Sequence, residues 1–204
     1  MFGMETTVRT ATAADLDGVV ATLTEAFDDD PLMRWAHEHA SDRRDRLHAM
    51  WELLAREGYL PRGASTTLPN HDGVALWLPP GAVLGDEFWE IHGERFAEGV
   101  GPGIERLILM GAAMDEHHPH DREHWYLLAI GVRCEAQGRG LGGVLLAHTL
   151  AIADERGQPA YLEATSTRSR VLYERFGFQV IGEITVGGSP PMWPMWRDPS
   201  AHRA

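Results

Sequence analysis

The chain has 204 residues, of which 44% are hydrophobic, and carries 30 acidic side chains against 18 basic ones, all arginine, for a formal net charge of −12. That length and composition fit one domain over residues 1–204 with its own core, and the charge argues against nucleic acid as a partner. The absence of lysine excludes Schiff-base chemistry and a Walker phosphate loop, and Cys134, the single cysteine, excludes an intrachain disulfide.

In chain order, Val8 to Thr10 reads as a first strand. Thr12 or Ala13 opens a helix to about Phe27, with Asp15 and Asp17 in the first turn, where the helix dipole favours acids. Asp28-Asp29-Asp30-Pro31 ends it. A short helix holding Leu32, Met33 and Trp35 follows, then a longer one from about Asp42 to Glu57, whose Leu47, Met50, Trp51 and Leu54 fall at helical spacing and read as core. Val74 to Leu78 reads as a strand stopped by Pro79-Pro80-Gly81. Asp86 to His117 is mainly helical in pattern, broken around Gly99 to Gly103. Asp115-Glu116-His117-His118-Pro119-His120, with His124 beyond, fits no closed zinc spacing, and Pro119 keeps the histidines off one helical face. A solvated loop without metal is expected there. From Trp125 onward the pattern is an α/β sheet with crossover helices. No basic leader precedes a long apolar run and no eighteen apolar residues occur in succession, so a cytoplasmic location without a membrane partner is expected.

The most informative stretch runs from Ala129-Ile130-Gly131-Val132 through Gln137-Gly138-Arg139-Gly140-Leu141-Gly142-Gly143 into an apolar helix. Glycines let several backbone N–H groups converge on one nest, and the following helix N-terminus adds partial positive charge, so a phosphate-bearing cofactor is the natural occupant. Gly138-x-Gly140-x-x-Gly143 also satisfies the dinucleotide pattern, with Glu163 placed to imitate the ribose-binding acid. However, Arg133 to Gln137 separate strand from glycines, and too little chain follows for the second half of a Rossmann fold.

Read instead as Gln137-x-x-Gly140-x-Gly142, the loop carries the Q/R-x-x-G-x-G/A signature, and here the chain resembles the GNAT family of acyl-CoA-dependent N-acetyltransferases. Pro159 to Thr165 looks like that family's next strand, and Arg170 to Phe178 like its short helix ending in Tyr-x-x-x-Gly-Phe. Thr7 to Leu16, Leu23 to Phe27, Ala75 to Pro80, Trp125 to Val132 and Met192 to Arg197 are similar to landmarks of the puromycin N-acetyltransferase group. Ser169 stands where those relatives usually have Asn, and Pro194 and Trp196 depart from their last strand.

The resemblance implies an α/β (α+β) fold, a central mixed sheet with splayed central strands flanked by helices, and acetyl-CoA as cofactor. It implies that Ala129, Ile130 and Val132 meet the pantetheine arm, that Gln137, Gly138, Arg139, Gly140, Leu141, Gly142 and Gly143 hold the pyrophosphate, and that Ser169 adds a weakened contact. Tyr173 matches the family tyrosine whose phenol sits by the sulfur, where a hydroxyl donor can protonate the leaving thiolate; packing alone is the competing role. Glu163 looks toward the acceptor, where burial near aromatic rings raises a carboxyl pKa into the range of a useful base; a structural hydrogen bond is the competing role. Glu25 and Asp30 are candidates for binding the acceptor's ammonium, and Phe27, Trp35, Trp77, Tyr126 and Trp193 for an aromatic wall, Trp77 and Phe27 being more often core residues. The expected activity is direct transfer, through a ternary complex, of acetyl to a primary amine of a small molecule such as an aminonucleoside or antibiotic-like compound. Acetylation of a protein N-terminus or lysine, and non-catalytic acyl-CoA sensing, are the alternatives. The sequence allows a monomer or a homodimer.

Overall fold

The computed structural model describes residues 7–38 and 41–200. Strand β1 (Arg9–Thr10) enters a 3-10 turn, Ala13–Asp15, before helix α1 (Leu16–Phe27). The regular helix starts later than the sequence pattern suggests because Asp15 acts as an anchor. Its buried carboxylate accepts two hydrogen bonds from Arg9 at 2.8 and 2.5 Å, one from the Thr12 N–H at 2.9 Å, and faces His71 Nε2 at 3.0 Å. The Arg9 guanidinium above all holds this carboxyl far below the usual carboxylate range.

Helix α2 (Pro31–Ala36) begins on a proline, which suits a first helical turn because the missing N–H has no partner there anyway. Helix α3 (Arg43–Leu53) stops short of the expected end: Leu54–Tyr59 form a π-helical turn, and Tyr59 is carried into the core. Strand β2 (Thr66–Thr67), not foreseen from the sequence, links β1 to β3 (Gly73–Leu78) by antiparallel pairing. Helices α4 (Asp86–Val100) and α5 (Ile104–His117) flank the expected break at Gly101–Gly103. Strand β4 (Trp125–Val132), helix α6 (Leu141–Glu155), strand β5 (Ala160–Ala164), helix α7 (Thr167–Arg175) and strands β6 (Gln179–Val180) and β7 (Trp193–Arg197) complete the order. Among the described residues no helix is long and apolar enough to cross a membrane.

The seven strands form one mixed sheet in the order β1-β2-β3-β4-β5-β7-β6. Only β4 and β5 run parallel, joined by the α6 crossover. Apolar layers cover both faces: Leu23, Met50, Trp51 and Leu107 belong to one, and Leu145, Leu146, Tyr173 and Phe178 to the other.

Two irregularities of β4 shape the centre. Its pairing to β5 runs through Trp125↔Ala160, Tyr126↔Tyr161 and Leu127↔Leu162 and then stops, so the strands splay as expected and the β4 edge from Leu128 to Val132 has no strand partner on that side. On the other side the β3 register slips, with Leu76 opposite Ala129 and Trp77 opposite Leu127. Leu128 is therefore an extra residue, a β-bulge, and side-chain parity inverts beyond it. Leu127 packs in the α6 layer and Ala129 in the α1 layer, yet Ile130 and Val132 return to the α6 layer.

The histidine segment departs from expectation. Instead of a solvated loop, His124 is buried and His118 half-buried, both packed on aromatic rings. Among the described residues no group of three or more His, Cys, Asp or Glu side chains is arranged to hold a metal ion.

Candidate active site

The glycine loop after β4 is built for an anion. Gly138 and Gly140 have φ of 76° and 77°, a left-handed backbone that side-chain-bearing residues adopt at a cost, and nothing lies within 4 Å of where their Cβ atoms would stand. Gly140 is the N-cap of α6 and offers no side chain, so no side-chain acceptor caps the helix's first N–H groups. Gly143 lets the end of α7 come close, since a Cβ there would meet the Phe176 ring at 3.2 Å, whereas one at Gly142 would make ordinary contact with Leu172 at 3.5 Å. Gln137 folds back on the strand, its amide donating to the Val132 carbonyl at 3.2 Å. Arg139 is exposed, 4.0 Å from Asp72, while the Leu141 side chain is buried in the core. Ser169 is engaged within α7: its N–H donates to Ser166 Oγ at 3.1 Å and its hydroxyl to the Ser166 carbonyl at 2.9 Å, a capping box. The open cradle of N–H groups fits a pyrophosphate.

Glu163 stands where β4 and β5 part. It is buried, and its Oε2 accepts a hydrogen bond from the Tyr126 hydroxyl at 3.0 Å. The other oxygen has no partner. The Tyr161 hydroxyl lies near enough to favour the ionised form, though outside hydrogen-bond geometry. Burial dominates over both phenols and raises the carboxyl to about 7. Tyr173, on α7, is buried edge-on against Phe178 at 6.0 Å. Burial, with a smaller contribution from nearby Asp30, raises its phenol well above the ordinary range, so it stays protonated.

Asp30 joins three elements. Oδ1 caps α2 by accepting from the Leu32 and Met33 N–H groups at 2.9 and 3.1 Å, and Oδ2 accepts from the Thr165 hydroxyl at the end of β5 at 2.6 Å. Burial raises its pKa in spite of these donors.

The remaining expected acceptor residues are spread more widely. Glu25 accepts the Cys134 N–H and lies 3.8 Å from Arg133, which pins the start of the glycine loop. Phe27 packs on Trp51 with ring centroids 4.9 Å apart. Trp35 lies under the Arg106 guanidinium at 5.2 Å, and Trp193 donates from Nε1 to Glu183 at 3.1 Å. Of the expected set, the fold brings Tyr126 and Glu163 together, and Tyr173 and Asp30. The sequence reading missed Tyr59 and Tyr161, which also bear on Glu163. Tyr161 carried a signal, since residues two apart on a strand share a face.

The model of the Acetyltransferase (GNAT) family matches residues 86–178. An uncharacterised N-acetyltransferase of Schizosaccharomyces pombe is 28% identical over 177 residues, 81% of this chain and 71% of that protein. A solved structure described as histone acetyltransferase HPA2 and related acetyltransferase, from Corynebacterium glutamicum, is 31% identical, with 98% of this chain and 100% of that one covered and a TM-score of 0.70. Arylalkylamine N-acetyltransferase 2 from Aedes aegypti shares the fold at 16% identity, with 96% and 100% covered and a TM-score of 0.67. Full-length likeness to the Corynebacterium glutamicum protein at 31% identity, the open glycine cradle and the splayed parallel strands lead to one conclusion: the chain belongs to the GNAT family of acyl-CoA-dependent N-acetyltransferases.

Proposed function

We propose that the chain transfers the acetyl group of acetyl-CoA to a primary amine of a small molecule, with Glu163 as the base and Tyr173 as the acid. The observation that carries this reading is the Glu163 carboxyl itself: buried at the strand fork, raised to about 7, one oxygen held by Tyr126 and the other unpartnered. An aliphatic ammonium ionises near pH ~10, so it must lose a proton before its nitrogen can attack. Glu163 is ionised in most molecules at pH 8 and can take that proton through its free oxygen.

Acetyl-CoA supplies the thioester when bound. The N–H groups of Gly138 to Gly143 hold its pyrophosphate, and the unpaired edge of β4 around Ala129, Ile130 and Val132 offers backbone donors and acceptors to the extended arm. A β4 N–H on that unpaired edge would stabilise negative charge developing on the carbonyl oxygen of a bound thioester. Tyr173 keeps its proton across the working range and delivers it to the departing sulfur. The chain works as a single domain in the cytoplasm, as a monomer or a homodimer. The likeness to the puromycin N-acetyltransferase group favours an aminonucleoside or antibiotic-like acceptor.

The test is release of free thiol from acetyl-CoA across a panel of amines: puromycin, agmatine, polyamines, arylalkylamines and a lysine-bearing histone-tail peptide. Turnover of a small amine, lost by about 10²-fold or more in Glu163→Gln together with the acidic limb near pH 7, is the expected result. Turnover confined to the peptide replaces the acceptor class, and an acidic limb that persists in Glu163→Gln removes Glu163 as the base. The peptide arm is warranted by the description carried by the Corynebacterium glutamicum relative.

A further inference from the structure

We propose that His118 and His124 are positioning residues for Glu163, a pair of imidazoles that wedges the rings of Tyr126 and Tyr161 so that the Tyr126 hydroxyl bonds the carboxylate and the Tyr161 hydroxyl is kept beside it. The proposal rests on the reading of Glu163 as the proton acceptor.

His118 caps the C-terminus of α5 and His124 immediately precedes β4, so the pair bridges two elements. Their Nε2 atoms are 3.0 Å apart, and His124 Nδ1 lies 2.7 Å from the Arg122 carbonyl. A carbonyl only accepts, so His124 Nδ1 carries the proton, its Nε2 accepts, and the His118 Nε2–H donates. With both rings neutral, the dyad has one self-consistent protonation pattern. It presses edge-on against the tyrosines: His118 lies 4.8 Å from Tyr161 and 4.9 Å from Tyr126, and His124 lies 5.5 Å from Tyr161. Trp196 closes the far side of His124 at 5.4 Å. Between them the two phenol rings lie 6.0 Å apart, only 29° from parallel, as their paired positions on β4 and β5 dictate.

The pair acts through shape, because its charge is absent where Glu163 titrates. Burial lowers His118 to about 4 and lowers His124 as well, while Glu163 titrates at about 7. The charged or titratable groups around the dyad are Asp115, His120 and Arg122; those around Glu163 are Tyr59, Tyr126 and Tyr161. Phenol donors favour the ionised carboxylate, so rings free to drift should let the Glu163 pKa rise.

The test follows the Glu163 carboxyl directly, by ¹³C NMR of carboxyl-labelled protein, the resonance being assigned by its loss in Glu163→Gln. In His118→Ala and in His118→Gln it is expected to titrate about one pH unit higher, a hydrogen bond's worth of shift. The acidic limb of kcat/KM should move with it, while Kd for acetyl-CoA stays unchanged. His118→Phe, which keeps a ring against both phenols, should restore the original titration. An unmoved carboxyl titration in either folded variant overturns the positioning role, whereas a titration that moves without the acidic limb overturns Glu163 as the base. The unsubstituted protein gives an independent reading, because it holds only 4 tyrosines. With ¹³C-labelled tyrosine, Tyr126 and Tyr161 should each show separate signals for the two ring edges, and averaged signals overturn the wedge.

Discussion

The 4 tyrosines of the chain divide between two carboxylates, Tyr59, Tyr126 and Tyr161 toward Glu163 and Tyr173 toward Asp30. Burial lifts every phenol, so each remains a donor over the range in which Glu163 exchanges its proton. This separates holding a proton from exchanging one, and it sharpens what single substitutions should do. Tyr173→Phe removes a hydroxyl and little volume; kcat should fall by about 10²–10⁴ with Kd for acetyl-CoA unchanged, and equal turnover under saturating cofactor would remove Tyr173 from the mechanism. Gly140→Asp combines strain at a φ of 77° with a negative charge in the anion cradle. Calorimetry should show acetyl-CoA binding abolished in a folded protein, and unchanged affinity would refute the cradle.

At the scale of elements, Asp30 ties the start of α2 to the end of β5, and two substitutions separate its jobs. Asp30→Ala deletes the cap and leaves the Thr165 hydroxyl without its acceptor, which should lower stability by about 1–3 kcal/mol in urea unfolding. Asp30→Asn caps almost as well and buries no charge, so it should unfold close to the parent; equal losses for the two would mean that charge, not capping, is what matters. The same contrast between local and distant information explains what could be read beforehand. Gly138 to Gly143, Tyr173 and Glu163 sit in short motifs whose spacing is set by a loop, a helix turn or a strand pleat, and they were legible. So were α1, α2, the break at Gly101–Gly103 and the splayed sheet implied by the family resemblance. The bulge at Leu128 arises from pairing with β3, and β2 has only the two residues Thr66–Thr67, too few for an alternating pattern. Tyr59 is carried into the core by a π-helical turn, near enough for Glu163 to affect its phenol, and His118 and His124 are covered by tyrosines on strands that begin beyond them. Packing across the fold placed these groups, and no local pattern encodes it.

For the whole molecule, the buried Glu163 sets function against stability, and the sign of that opposition can be worked out. Its carboxyl rises from 4.5 to about 7 on folding, so the folded state holds the proton more tightly than the unfolded chain. The stability this contributes is fully present below about pH 4.5 and is lost as pH rises through about 7, where folding must bury the ionised form. The shift corresponds to about 3 kcal/mol by pH 8. Gln cannot ionise and keeps an oxygen for the Tyr126 hydroxyl, so Glu163→Gln should be inactive yet more stable than the parent. The gap should be near zero at pH 4.5 and open to about 3 kcal/mol at pH 8, which for a chain of this size raises Tm by roughly 6–12 °C. Paired thermal melts at the two pH values decide it: a gap of the same size at both would mean that substitution changed packing, and no gap at pH 8 would mean that the carboxylate is not buried as an ion at the cost inferred here.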